Sequence, residues 1–339
     1  MYKRQEYSGN QTKAFKNNVA LAAVDVGGRS VKSKIWLTPE DLNIQPNTPL
    51  KYKKKCNLAQ DLTSEGVMSE ASVNLALKAL TNIRKQINNL KTEGFTVIIN
   101  GVCTGPFRNA SNGQNVLEQA QKETRLPLRI ISGEEEAHYA AQGILRGHPL
   151  LRSKEFLGIN AGGESCEIFH IHNGEMKQSH SMKLGMLRML FENNAKQFAL
   201  NETQKIKKSF ENLDLPIALT GGIYGDISTK FSEIAEKNLN NSDKPYTVPV
   251  TDIIQFIRSE FLYASDLAKT ESFTSKSIAK HIGIKTDRVP MLNNAALVLE
   301  TLHTELGAQN VILGNTSIRD GMLVEMEQFL KGSPLLMPT

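Results

Sequence analysis

Ala20-Leu21-Ala22-Ala23-Val24-Asp25-Val26-Gly27-Gly28 is an apolar run that carries one acid near its end and closes on two glycines. A run of this length bounded by turn residues predicts a buried strand, and the alternating stretch from Lys32 to Trp36 predicts its hairpin partner. Working outward, strands over 50–58, 97–102 and 128–131 and helices over 70–91 and 114–122 complete an α/β domain. Ser69 is placed to cap the first helix, on which Val73, Leu77, Leu80, Ile83, Ile87 and Leu90 share the face expected in the core.

The same plan then recurs. A strand over 156–159 enters the turn Asn160-Ala161-Gly162-Gly163, a second strand covers 165–171, and Asn173-Gly174 turns the chain into a third over 176–181. This reads as an internal duplication, two α/β domains over 15–130 and 131–321 that each aim a glycine turn at a cleft between them, with a last helix over 322–335 packing back on the first. Further helices are expected over 184–193, 202–211, 252–263, 275–281 and 289–306, and a polar loop over 238–244. A strand over 217–219 enters a third glycine turn, Thr220-Gly221-Gly222, and a strand over 310–313 precedes the closing helix.

Bulk composition fits two ordinary globular domains: 339 residues, 40% apolar, 22% charged. The amino terminus lacks the apolar core of a signal peptide and no stretch approaches a membrane span, so a cytoplasmic chain without a membrane partner is expected. No DNA partner is expected either. Cys56, Cys103 and Cys166 are odd in number and far apart, which predicts free thiols. The net charge of +5 suits a polyanionic ligand but decides nothing alone. The run Lys51-Tyr52-Lys53-Lys54-Lys55 alternates within a strand and reads as a solvated edge, the other reading being a track for a phosphate chain.

Two segments are more specific. Cys103-Thr104-Gly105-Pro106-Phe107-Arg108-Asn109-Ala110-Ser111-Asn112 resembles the Ala-Thr-x-x-x-Arg-x-Ala-x-Asn of the exopolyphosphatase/guanosine pentaphosphate phosphohydrolase (Ppx/GppA) family, and Ser132-Gly133-Glu134-Glu135-Glu136-Ala137 resembles its Ser-Gly-x-Glu-Glu-Ala. Other motifs are similar but altered. Asp25-Val26-Gly27-Gly28-Arg29-Ser30 stands for Asp-Ile-Gly-Ser-Asn-Ser, and Asn160-Ala161-Gly162-Gly163-Glu164-Ser165-Cys166-Glu167 for Asp-Ile-Gly-Gly-Gly-Ser-Thr-Glu. Thr220-Gly221-Gly222-Ile223 lacks the closing Thr, and Ser317-Ile318-Arg319-Asp320-Gly321 is similar to Leu-Arg-Glu-Gly. The family's short, two-domain form, without a carboxy-terminal hydrolase extension, is expected.

The resemblance implies two actin-like (ribonuclease H-like) domains and a ligand that is polyphosphate or guanosine penta/tetraphosphate, with Mg²⁺ as cofactor and a homodimer as the assembly. Backbone N–H groups of Gly27, Gly28, Arg29 and Ser30, of Gly162, Gly163 and Ser165, and of Gly221 and Gly222 would cradle phosphates, because glycine lets the chain come close. Arg108 would neutralise phosphoryl charge, a surface ion pair being its plain alternative. Glu135 would orient the attacking water, although three glutamates at a helix start also suit the helix dipole, which is the reading given to Glu134. Glu167 would act in catalysis and hold the metal together with Asp25, or stand exposed on a strand.

Two departures weigh on the metal. Asn160 replaces a charged oxygen with an amide, and Glu164 adds bulk and negative charge where glycine is expected; Glu164 could supply the missing ligand while Arg29 brings compensating positive charge. Terminal phosphoanhydride hydrolysis and metal-poor sensing of the same polyanions both follow from this set, with an ATP-dependent kinase as a fainter third reading. His170 and His172 share a strand face and read as a surface pair rather than a metal site.

Overall fold

The computed structural model describes residues 18–38, 49–60, 62, 66–210, 215–236, 247–268, 284 and 286–331. The expected helix over 275–281 and loop over 238–244 lie outside them. The described residues divide into two compact units, the first drawn from 1–58, 67–131 and 322–339 and the second from 59–66 and 132–321.

In the first unit β1 (Val19–Val26) is buried along its whole length, because it lies between antiparallel β2 (Ser30–Thr38) and parallel β4 (Thr96–Cys103). The sheet order is β3-β2-β1-β4-β5, with β3 (Leu50–Lys55) at one edge and β5 (Leu128–Ile130) at the other. Helix α1 (Glu70–Thr92) buries the six predicted core residues, and Ser69 caps it by accepting a hydrogen bond from the Ser72 amide. Two shorter helices follow β4, α2 (Gly105–Asn109) and α3 (Gly113–Thr124).

The second unit opens with α4 (Gly133–Gly147) and repeats the plan: β6 (Glu155–Ala161), β7 (Cys166–His172) and β8 (Glu175–Met182). Asn173 and Gly174 both take positive φ (52° and 78°), as the tight hairpin between β7 and β8 requires. Helix α5 (Ala195–Phe210) leads to β9 (Ile217–Gly221), α6 (Gly222–Glu236), β10 (Thr247–Pro249), α7 (Val250–Ala268), α8 (Leu292–Leu306), β11 (Asn310–Ile312) and α9 (Ile318–Leu330). The sheet order is β10-β11-β9-β6-β7-β8. Read from β8 inward, β8-β7-β6-β9-β11 repeats β3-β2-β1-β4-β5, so the duplication expected from the glycine turns is present in the strand order.

Two helices differ from expectation. No α-helix forms over 184–193, where only a 3-10 turn spans Arg188–Phe191. The amides of Met186, Leu187 and Arg188 instead donate to the carbonyls of Gly162 and Gly163, which ties this segment to the second glycine turn. The helix expected from 289 starts at Leu292, because Pro290 holds the preceding turn in a 3-10 form over Thr286–Met291.

Candidate functional site

In the first unit the β1–β2 turn is tight, with the Gly27 amide donating to the Ser30 carbonyl at 3.2 Å. It is braced from behind, since the Arg29 carbonyl accepts from the amides of Cys56 and Asn57. A methyl group at Gly27 would meet its neighbours only at ordinary contact distance, 3.4 Å from Asp25 Oδ1, so packing within the fold does not by itself require glycine there. The buried Ser30 hydroxyl has no hydrogen-bond partner among the described residues. Asp25 is buried and accepts a hydrogen bond from Lys32 Nζ at 3.2 Å.

The tandem motif begins beside this turn, where the Thr104 amide donates to the Val26 carbonyl. Arg108, on α2, reaches the Ile131 carbonyl through Nη1 at 2.8 Å. The motif's asparagine has a structural task, because Asn112 clamps both the amide and the carbonyl of Met68 at 2.9 Å.

In the second unit Ser132 and Glu135 form a reciprocal capping box at the start of α4. Glu134 is exposed, Glu135 half-buried and Glu136 buried. Gly133 packs on Ser181, where an added methyl would come within 2.6 Å of its Cβ, so this helix start lies over the β7–β8 surface.

Glu167 is 0% exposed rather than an exposed strand residue. Cross-strand register sets it opposite Asn160 on one side and Ser181 on the other. Its carboxylate accepts from Asn160 Nδ2 at 2.8 Å, Ser165 Oγ at 2.7 Å and Ser181 Oγ at 3.1 Å. Glu164 is 3% exposed and ion-paired to Arg188 Nη1 at 2.8 Å. Arg188 escapes the sequence motifs; the only local signal for it is Gly185, whose missing side chain lets this segment lie on the Glu164 backbone, where a methyl would be 2.1 Å from the carbonyl carbon.

The third glycine turn is committed to packing. Gly221 has φ 95°, and a methyl there would strike the Ala161 carbonyl oxygen at 2.6 Å. Buried Arg288 donates to the Gly222 carbonyl and pairs with Asp226. His170 and His172 both bond Glu155, which holds that carboxyl below the usual carboxylate range.

This donor set does not suit a divalent cation in the second unit. Asn160 offers an N–H to Glu167, the Glu167 oxygens are taken up by N–H and O–H donors, and Glu164 is engaged by a guanidinium. Among the described residues no group of three or more His, Cys, Asp or Glu is placed to hold a metal ion.

The three cysteines are free and buried. Burial pushes the Cys103 thiol up, with the Asp25 charge adding to it, and raises Cys166 likewise, helped by Glu167 and Glu136. A thiol-specific reagent at pH 8 is therefore expected to modify almost none of the 3 cysteines in the native chain and all of them in denaturant. Rapid labelling of the native protein at Cys103 or Cys166 would contradict the burial described here.

A duplicated five-strand sheet with a glycine turn after the first strand of each half makes this an α/β protein of the actin-like fold. The chain belongs to the Ppx/GppA phosphatase family, whose profile matches residues 43–329. At family level this is a phosphatase frame. A putative exopolyphosphatase of Haemophilus influenzae is 22% identical over 320 residues, covering 91% of each chain. A bifunctional 3-dehydroquinate synthase/phosphatase of Fusobacterium nucleatum is 21% identical over 92% of this chain, which spans only 47% of that protein's length. The solved exopolyphosphatase of Cytophaga hutchinsonii superposes with a TM-score of 0.72 at 16% identity, over 93% of this chain and 99% of that one, a likeness that shows the fold. No helix among the described residues is long and apolar enough to cross a membrane.

Proposed function

We propose that this chain binds the terminal phosphoanhydride of a polyphosphate or guanosine penta/tetraphosphate and holds it without metal-assisted turnover. Within the first unit the amides of Gly28, Arg29 and Ser30 and the charge of Arg108 would meet phosphate, and within the second the amide of Gly163 and the Ser165 region; the Gly27 and Gly162 amides, expected to join them, are instead donated to the Ser30 and Ser165 carbonyls. The observation that supports this reading is the Asn160–Glu167 hydrogen bond: an amide N–H occupies the carboxylate that a cation would otherwise bridge. Arg188 neutralises Glu164, so the extra acid in the second turn does not repel an anion as a bare carboxylate would.

A second reading, hydrolysis, is favoured by one feature. Glu135 stands at the third position of α4, where its carboxylate, on leaving the Ser132 amide, could orient a water against phosphorus. Calorimetric titration with tripolyphosphate and guanosine tetraphosphate in the presence of a chelator, run beside phosphate-release assays with added Mg²⁺, decides between the two. Binding in chelator is expected, with phosphate release no faster than that of Glu135→Gln. Mg²⁺-dependent release well above that control would overturn the binding reading in favour of the hydrolase.

A further inference from the structure

His170 and His172 lie two residues apart on β7, and the sequence alone puts no third ligand beside them. Strand register supplies one. Glu155 on β6 stands directly across from His172, and Leu157 across from His170, so the carboxylate and both imidazoles belong to one face of the sheet. The two rings meet at a single atom: Glu155 Oε1 lies 2.8 Å from His170 Nε2 and 3.2 Å from His172 Nδ1. From the other side β8 sets Glu175 across from His172, and Lys177 holds that second carboxylate at 2.6 Å.

Exposed ion pairs add little to stability, so the fold itself gains little from aiming two imidazoles at one oxygen. The chemistry of the cluster is more specific. Each ring now presents its near nitrogen to the oxygen as a donor; with the proton on the far nitrogen instead, each aims a lone pair at the same spot. Two imidazole nitrogens and a carboxylate are a donor set of three-ligand zinc sites. Imidazole also favours ions of borderline softness, Zn²⁺ and Cu²⁺, over Mg²⁺. As they stand, the three groups touch one another and enclose no point at which an ion could sit. Glu155 and His172 are open to solvent and His170 is largely covered, so the carboxylate has room to turn outward and an ion has a side from which to enter. Both histidine backbones are fixed by pairing to β6 and β8, which leaves little besides Glu155 to rearrange.

We infer that His170, His172 and Glu155 form a binding site for a borderline divalent ion, Zn²⁺ or Cu²⁺, in which the two imidazoles chelate the ion and Glu155 turns to become its third ligand. The ion would tie β6 to β7 at the end of the hairpin away from the second glycine turn, five strand steps or about 17 Å from Asn160. The site is therefore separate from the proposed anion site, and either reading can fail alone.

The test uses the full-length chain and the variants His170→Ala, His172→Ala and Glu155→Gln, each first shown to be folded by a thermal melt without added metal. Calorimetric titration with Zn²⁺ is expected to give one ion per wild-type chain. A second ligand held within reach binds intramolecularly, so losing either imidazole should weaken Zn²⁺ on the order of a hundredfold. Glu155→Gln, which keeps an acceptor but drops the charge, should weaken it less. Zn²⁺ should raise the melting temperature of wild type and leave both histidine variants unmoved, and Mg²⁺ should move none of them. Electron paramagnetic resonance of the wild type with one equivalent of Cu²⁺ should show coupling to two ring nitrogens. Should the covered His170 prove necessary for folding, His172→Ala and the Cu²⁺ spectrum of wild type still decide. Zn²⁺ binding unchanged in His172→Ala, or a spectrum with fewer than two nitrogens, would overturn the site. Tighter binding by Glu155→Gln would mean that the carboxylate competes with the ion, and would overturn its assignment as third ligand.

Discussion

Arg188→Ala is expected to destabilise the second unit by about 3–5 kcal/mol, the cost of breaking a buried ion pair by removing one partner. The Glu164 side chain is 2% exposed and Arg188 is 24% exposed, so water can reach the guanidinium far more easily than the carboxylate. Removing the arginine strands the less accessible charge. Removing the glutamate instead leaves a guanidinium that can still turn to solvent and to Glu192, 3.8 Å from its Nε. Glu164→Gly should therefore cost less than Arg188→Ala, and the double variant should recover most of what Arg188→Ala loses. In a melt the single loss corresponds to roughly 6–20 °C for a domain of this size. Denaturant titrations of wild type, both single variants and the double variant measure the coupling directly. Additive effects with no rescue would mean that the pair does not hold the second glycine turn together.

That pair also shows where sequence reading stops. The apolar run over 20–26 and its closing glycines were legible because a buried central strand needs an unbroken apolar stretch, and the duplicated order of strands and turns followed from the same signal. Glu164 was legible as a departure from a glycine position, but its partner lies 24 residues further on and is brought up by the close approach of Gly185. The spacing of Leu184, Leu187 and Leu190 fits a helix, yet nothing in that spacing reports that the turn carbonyls of Gly162 and Gly163 claim the local amides. The surroundings of Glu167 escaped for a related reason, whereas the lysines of β3 stand exposed at the sheet edge, as their alternation predicts. Alternation tells which residues share a face of one strand, and only the register between strands tells what they face. An isolated glutamate became the centre of a buried network.

The same register makes Asn160→Asp the sharpest perturbation available in the second unit. Asn160 is 5% exposed and Glu167 0%, and the substitution turns an N–H···O contact of 2.8 Å into two carboxylates at nearly that distance. Two like charges about 4 Å apart at an effective dielectric of about 20 repel by about 4 kcal/mol, so a loss of that order is expected at pH 8. The pair avoids part of it by retaining one proton, which raises the shared folded-state pKa above the unfolded carboxyl value of about 4. Between those two values the folded state then binds more protons than the unfolded one. Stability consequently falls as pH rises through that window and is flat above it, and acidification should narrow the gap to wild type. A divalent cation offers the other escape, since the variant restores the charged oxygen that Asn160 lacks. Mg²⁺ or Mn²⁺ should raise the variant's melting temperature in a concentration-dependent way at pH 8 and leave wild type unmoved. If wild type gains as much from the cation as the variant does, Asn160 is not what keeps metal from Glu167, and the case for metal-free phosphate binding loses its support. If the variant melts with wild type at pH 8 in chelator, the amide-to-carboxylate bond does not carry the weight assigned to it.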